Sequence, residues 1–366
     1  MLKNDIKNVY IYVSDDLRYD YTPLQIKDLG ISFKCVTQAP FSHPSFASLV
    51  TGVYAETHKV YNKLIDRITG PTFFSFKKFN TGYWAESKYD SLYPIFNYPR
   101  RVNIEMIKEP FILLERSLDT HAPFGSPYED VPSFYKAIGD DYKKMKKYYS
   151  LGIKNSTKKF FKRIDILKDR EILDNTLIIF TSDHGELFDE YNRRGHELPL
   201  CPELVYVPLI FIHPSLEPKK VSNTLPRTID VLPTICDIFS IYKSAYFDGE
   251  SILQKKNKYC ISSCRTFDIS RYIEGFPIKI PLYNGHSIWD YDNNGIVKLE
   301  GSLKPCIGGI LDTIYMRTSQ FHNWKKHKTY GKPDTAMYTT LTKYVQKDFF
   351  INWTKWNTNS LIFKKN

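Results

Sequence analysis

Three short apolar runs in this chain each end directly in a cluster of polar, chemically active side chains. Residues 8–13 (NVYIYV) run into Ser14-Asp15-Asp16, residues 111–114 lead to Asp119 and His121, and residues 176–181 (TLIIFT) run into Ser182-Asp183-His184. Runs of this length, rich in β-branched and aromatic residues, read as buried strands. Residues 207–212 (VPLIFI) read as a further strand. Helix-like segments lie between them. Residues 44–50 are stopped by Thr51-Gly52, residues 138–168 carry Tyr142, Met145, Tyr149 and Ile153 at helical spacing, and residues 228–239 are periodic as well. Strands alternating with helices predict an α/β fold, with a mostly parallel central sheet sandwiched by helices. Ligands in such sheets sit outside the carboxyl ends of the strands. The three polar clusters are therefore expected on one sheet edge.

After about residue 256 the pattern changes. Residues 286–299 (HSIWDYDNNGIVKL) read as a hairpin turning at Asn294-Gly295. The expected organisation is a catalytic α/β domain over residues 1–255. A small C-terminal antiparallel subdomain with a terminal helix, residues 256–366, packs on it.

Asp15, Asp16 and Asp183 carry the strongest chemical signal. Three carboxylates brought together raise one another's pKa unless a cation neutralises them. A divalent metal does so, and His184 adds an imidazole ligand. The bland alternative for an isolated Asp at a strand–helix junction is capping. Ser42, in S-H-P-S-F-A-S-L-V-T-G, lies at the mouth of the helix that Pro44 opens. Free amides there favour an anion, and a hydroxyl beside a metal becomes a nucleophile. An N-cap is its bland alternative, and Ser45 and Ser48 are expected to face the helix or the core. His121 and His196 are candidates to grip a charged ester group or to protonate a leaving oxygen. His58 lies close to the Ser42 segment. His43, His213, His286, His322 and His327 are read as surface or core residues.

Charge and cysteine usage limit the partners. The net charge is +11, with lysines clustered at 143–147, 158–163, 254–258 and 325–328. Most of these are solvated surface, and the functional reading is a field that draws anionic substrates. No RNP box, zinc-finger spacing or basic heptad region is present, so no nucleic-acid partner is expected. No run approaches the roughly 20 apolar residues of a membrane helix, so no transmembrane segment is expected. The opening MLKNDIKNVYIYV reads as a strand rather than a signal peptide. Six dispersed cysteines with no CxxC pair suggest reduced thiols and a cytoplasmic location.

Taken in order, these segments resemble the sulfatase branch of the alkaline phosphatase superfamily. The matching segments are N-V-Y-I-Y-V-S-D-D-L-R, then S-H-P-S-F-A-S-L-V-T-G with His58, then D-N-T-L-I-I-F-T-S-D-H-G-E, G-H-E and V-P-L-I. T-I-D-V-L-P-T-I-C-D-I and F-D-G-E-S-I-L close the series, and together they cover about residues 7 to 255. The resemblance implies an alkaline phosphatase-like fold and hydrolysis of a sulfate or phosphate ester. It implies one divalent metal on Asp15, Asp16, Asp183 and His184, with Ser42 as nucleophile. His121, His196 and His58 would lie at the substrate's anionic group. The substrate would be a small anionic ester, possibly glycan-linked.

Three departures from the family pattern bear on the chemistry. Family members convert a Cys or Ser to formylglycine using an Arg four residues on, and Phe46 stands there. This favours a plain serine at position 42 over formylglycine. The sulfate-binding Lys-Trp-His stretch has as its nearest counterpart Thr81-Gly82-Tyr83-Trp84-Ala85-Glu86, without the Lys or the His. His184 replaces the Asn of calcium sulfatases, which shifts the expected metal towards manganese or zinc, with calcium as the alternative. All three lean towards phosphoryl chemistry, with a phosphodiesterase or phosphotransferase acting on a glycan or lipid phosphate as the alternative activity. A non-catalytic anion binder is the competing class.

Overall fold

Apolar alternation along one strand organises the two faces of the main sheet. In β1 (Asn8–Ser14), Val9, Ile11 and Val13 point to one face, and Tyr10 and Tyr12 to the other. The first face packs under the helices Ser42–Thr51 and Val231–Ile238 through Phe46, Leu49, Val50, Leu232 and Ile235. The second packs under the long helix Tyr142–Asp169, where Phe160 lies 5.1 Å from the Tyr12 ring. Both faces are dry, which is why β1 reads as an uninterrupted apolar run.

The computed structural model describes residues 6–61, 66–190, 194–196, 200–241, 246–254, 256–268, 272–273, 276–277, 280–301, 320–324, 336–337 and 339–344. Cys306, His327 and the lysines at 325–328 lie outside the described residues, as does the side chain of His322. The chain divides into two compact units, Met1–Lys258 and Tyr259–Asn366.

In the first unit, β2 (Ile31–Val36), β3 (Asn80–Ala85), β4 (Phe111–Ser117), β5 (Thr176–Thr181), β6 (Tyr206–Ile212) and β7 (Lys220–Ser222) join β1 in one sheet of order β3-β4-β1-β5-β6-β2-β7. β3, β4, β1 and β5 are mutually parallel, while β6 runs against both β5 and β2. The expected α/β sheet is therefore present, with a mixed edge. β2 (ISFKCV) and β3 (NTGYWA) escape a reading by apolar run because each is broken by polar residues. Lys34 in β2 is accommodated by placing its ammonium 4.0 Å from the Tyr206 ring centre.

The second unit contains an antiparallel sheet of Gln320–Trp324, Gly295–Gly301, Ile280–Trp289 and Cys260–Asp268, in that order. The expected hairpin is present, but its turn is longer than Asn294-Gly295. Trp289 pairs with Gly295, so residues 290–294 form the loop. The Asp290 carboxylate accepts from the amides of Asp292 and Asn294, and Asn293 takes the positive φ of 68°. Helical residues 336–337 and 339–344 add Met337 and Leu341 to a small core with Ile288 and Ile296.

The long helix approaches the sheet edge closely at Gly152. A Cβ there would lie 2.1 Å from the carbonyl oxygen of Asp119, just after β4. Gly152→Ala is expected to cost about 1–3 kcal/mol through overpacking. It should appear as a lower denaturation midpoint, and an unchanged midpoint would show that this contact yields freely.

Candidate metal centre and nucleophile

The carboxyl ends of β4, β1 and β5 are neighbours, because β1 pairs in parallel with both others. Adjacent residues of an extended strand point to opposite faces, so Asp15 and Asp16 cannot both reach one point from within β1. The strand ends at Ser14, and Asp16 adopts a left-handed φ of 63°. Tyr149 holds this turn from the long helix, its hydroxyl donating to the Asp16 carbonyl at 2.8 Å. The Asp16 amide donates in turn to Asp183 Oδ1 at 3.1 Å. Asp183 is held through its backbone, since Thr37 and Ser45 hydroxyls both donate to its carbonyl, at 2.5 and 2.6 Å. Gly185 lets this turn pass the Glu203 carbonyl, which a Cβ would approach to 2.0 Å.

These constraints bring one ligand atom each from Asp15, Asp16, Asp183 and His184 within 4.8 Å of one another, all buried. A second group of the same compactness joins Asp16, His184 and His196. The backbone pairing of Leu187 with Gly195 positions His196.

Burial of so much negative charge has visible consequences. Asp15 Oδ1, both oxygens of Asp16, Asp183 Oδ2 and Glu186 Oε1 are buried without a hydrogen-bond partner. Such atoms are rare, because desolvation without a partner is costly. Burial, with Asp15 beside it, pushes the Asp183 carboxyl up to about 6. Burial and then Asp16 raise Glu186. Burial opposes ionisation of Asp16, but His184, His196 and His121 outweigh it and hold its carboxyl below the ordinary range. Burial likewise opposes charge on the imidazoles. Asp183 and Asp16 nevertheless raise His184 well above its usual value, and Asp16 and Glu186 hold His196 up to about 9.

The unsatisfied oxygens fit a divalent cation. Asp15, Asp16, Asp183 and His184 would hold it. His184 Nδ1 lies 3.0 Å from the Gly185 carbonyl, which fixes the ring by donation from that nitrogen. Its Nε2 is left facing Asp183 Oδ2 at 3.3 Å and Ser42 Oγ at 3.3 Å.

Ser42 is the first residue of the helix Ser42–Thr51, which Gly52 closes at φ 70°. Its hydroxyl also accepts from Arg116 Nη2 at 3.2 Å. Ser45 and Ser48 face away as expected. Ser45 is engaged with Thr37 and Asp183, and Ser48 lies 3.1 Å from His58 Nε2. The rings of His184, His196 and His121 form a row, with centroid separations of 4.5 and 6.2 Å. His121 Nδ1 is taken by the Ala122 carbonyl at 2.7 Å, leaving Nε2 for other partners.

His58 corrects the sequence-based expectation of a substrate contact. It is buried, its Nδ1 accepts from the Val60 amide, and its Nε2 is engaged with Ser48. Burial drives its pKa down to about 3. A neutral ring with both nitrogens committed braces the Ser42 helix instead of meeting an anion. His43 and His213 pair with Ser91 and Ser215.

Three residues not singled out from sequence belong to this site. Arg116 contacts Asp15, Asp90 and Ser42, while Glu186 lies 3.4 Å from His196. The signal for Arg116 was the charged pair Glu115-Arg116 inside an otherwise apolar strand. Glu186 was the Glu of S-D-H-G-E.

Comparison with known proteins identifies the domain. Residues 60–241 match the family model described as Sulfatase. Residues 60–241 thus form a sulfatase domain, and the chain shares the alkaline phosphatase-like fold of sulfatases and phosphonate monoester hydrolases. That domain and these structural neighbours indicate an ester hydrolase of the sulfate or phosphate type. It is 27% identical over 313 residues to the low-salt glycan biosynthesis sulfotransferase of Haloferax volcanii, covering 80% of this chain and 75% of that protein. It is 27% identical over 129 residues to arylsulfatase K of Canis lupus familiaris, covering 29% of this chain and 24% of that protein. Among solved structures, a 2-O GAG sulfatase superposes with a TM-score of 0.68 at 16% identity, over 97% of this chain and 94% of that one. The phosphonate monoester hydrolase of Agrobacterium radiobacter does so at 0.67 and 14%, over 95% and 96%. These last two establish the shared fold.

His184→Ala should lower affinity for a divalent metal by at least about tenfold, measured as bound metal after dialysis. His58→Ala should leave bound metal unchanged and cost about 1–3 kcal/mol of folding stability. The reverse pattern would exchange their roles. Proton competition gives a third expectation. Asp183 must ionise and His184 must lose its proton to bind a cation, so affinity should fall as pH drops from the raised range of His184, above its ordinary value, down through about 6, where Asp183 gains a proton. Proton release on binding, read by calorimetry in buffers of different ionisation heat, checks this. Affinity constant from pH 5 to 8 would refute it.

Proposed function

We propose that this protein is a divalent-metal-dependent enzyme that cleaves a sulfate or phosphate ester carried on a glycan, with the unmodified Ser42 hydroxyl as nucleophile. One observation carries this reading. Ser42 Oγ lies at a helix mouth, in contact with His184, which is grouped with three buried carboxylates that retain unsatisfied oxygens. The glycan is supported by the relative from Haloferax volcanii and by a structural neighbour, with a TM-score of 0.64, in complex with D-glucosamine-2-N,6-O-disulfate. Six dispersed cysteines with no CxxC pair support a reducing compartment and hence a cytoplasmic location.

The cation would supply Lewis-acid stabilisation of negative charge at the nucleophile and the ester, and the imidazole among its ligands favours manganese or zinc. The remaining steps belong to the chain's own groups. Ser42 Oγ gives its proton to bulk water and attacks sulfur or phosphorus in line, and the bond to the ester's leaving oxygen breaks. His196, held 3.4 Å from Glu186, binds the anionic oxygens. His121, with Nδ1 committed to Ala122, presents Nε2 to protonate the leaving oxygen. Amides at the helix mouth stabilise the equatorial oxygens. Water then attacks the seryl ester, releasing inorganic sulfate or phosphate and restoring the hydroxyl.

The test is turnover of nitrophenyl sulfate, nitrophenyl phosphate, bis-nitrophenyl phosphate and sulfated glucosamines by the metal-loaded protein. Ser42→Ala should lower kcat/KM by at least about 10³, and the Ser42 peptide should carry the mass of unmodified serine. Full activity in Ser42→Ala would end the proposal, and formylglycine at that position would replace its nucleophile.

A further inference from the structure

Arg116 is the second-to-last residue of β4 and points to the opposite face from Glu115. Glu115 pairs with Arg163 of the long helix. Arg116 instead enters the site, almost fully buried at 6% exposure. Its three nitrogens go three ways. Nε donates to Asp15 Oδ2 at 2.5 Å, Nη1 to Asp90 Oδ2 at 2.8 Å, and Nη2 to Ser42 Oγ at 3.2 Å. Asp90 is itself fixed, because its Oδ1 accepts from the Tyr83 hydroxyl and the Leu92 amide, each at 2.9 Å. The guanidinium carbon lies 5.4 Å from the Phe46 ring centre. The fork is thus held on two sides by carboxylates and against an aromatic ring, with its third arm aimed at the hydroxyl.

Neutralising Asp15 would explain the first of these contacts and Asp90 the second. Neither accounts for the arm at Ser42. A guanidinium carries five N–H donors in a rigid plane, and these contacts use three. Phe46, four residues after Ser42, occupies the position where the family pattern carries an arginine. In this chain Phe46 supplies a ring for an arginine from β4 to rest on. Tyr83, in the segment lacking the expected Lys and His, fixes the Asp90 that holds the same arginine.

We propose that Arg116 is a catalytic residue of this centre: its guanidinium holds the Ser42 hydroxyl in line and binds a non-bridging oxygen of the ester group under attack. This rests on the reading of Ser42 as nucleophile. A lysine cannot reproduce it, because a single ammonium cannot serve Asp15, Asp90 and Ser42 in one plane.

The experiment compares Arg116→Lys, Arg116→Ala and Ser42→Ala, each with turnover expressed per bound metal and with the unfolding midpoint recorded. Arg116→Lys should keep its metal and lower kcat/KM by about 10²–10³. Added guanidinium, but not methylammonium, should restore part of the turnover of Arg116→Ala. Two results overturn the inference while leaving Ser42 in place: Arg116→Lys with wild-type turnover per metal, or losses in both Arg116 variants that merely track lost metal. Full activity in Ser42→Ala would remove the nucleophile reading itself, and with it the role given to the third arm.

Discussion

Negative charge crowded at the ends of two neighbouring parallel strands is the constraint around which this site is built. Two unit charges about 4 Å apart repel by about 4 kcal/mol at an effective dielectric of about 20. Several such pairs together rival the whole stability of a domain, about 5–15 kcal/mol. Asp15, Asp16, Asp183 and Glu186 therefore require countercharge wherever they are ionised. The chain supplies part of it as Arg116, His184 and His196. The oxygens left over define the place where a cation belongs. Counterion, metal ligand and substrate contact are thus aspects of one electrostatic problem.

The solution is mechanical as much as electrostatic. Hydroxyls of Thr37, after β2, and Ser45, in the Ser42 helix, converge on one carbonyl, that of Asp183. The turn after β5 and the Ser42 helix therefore share a common clamp. Tyr149 reaches the Asp16 turn from the other face of the sheet. His58 contributes from behind the helix, as a neutral brace. Ser45 and Tyr149 thus tie helices on the two faces of the sheet to its strand ends.

Much of this was legible in the amino-acid sequence, for a definite reason. β1 and β5 are buried on both faces, so they appear as unbroken apolar runs, and the polar residues that end them stand out. The helix at Ser42 announces itself by Pro44 and Gly52. β2 and β3 were illegible because Lys34 and the Asn-Thr-Gly opening interrupt their pattern, and only tertiary partners such as Tyr206 make them strands. Arg116 was hidden for a related reason. A charge in a buried strand makes sense only once Asp15, Asp90 and Ser42 are seen around it. His58 misled in the opposite direction, since nearness along the chain to Ser48 put it behind the helix rather than at its mouth.

The left-handed turn at Asp16 has a consequence of its own. A positive φ disfavours β-branched residues at that position, while asparagine and glycine tolerate it. Position 16 thus answers to two masters, the shape of the chain and the charge in the pocket. Of those two, asparagine keeps a side chain of nearly the same size and hydrogen-bonding reach. Asparagine is therefore the residue through which such a protein can drift towards a silent, correctly folded relative.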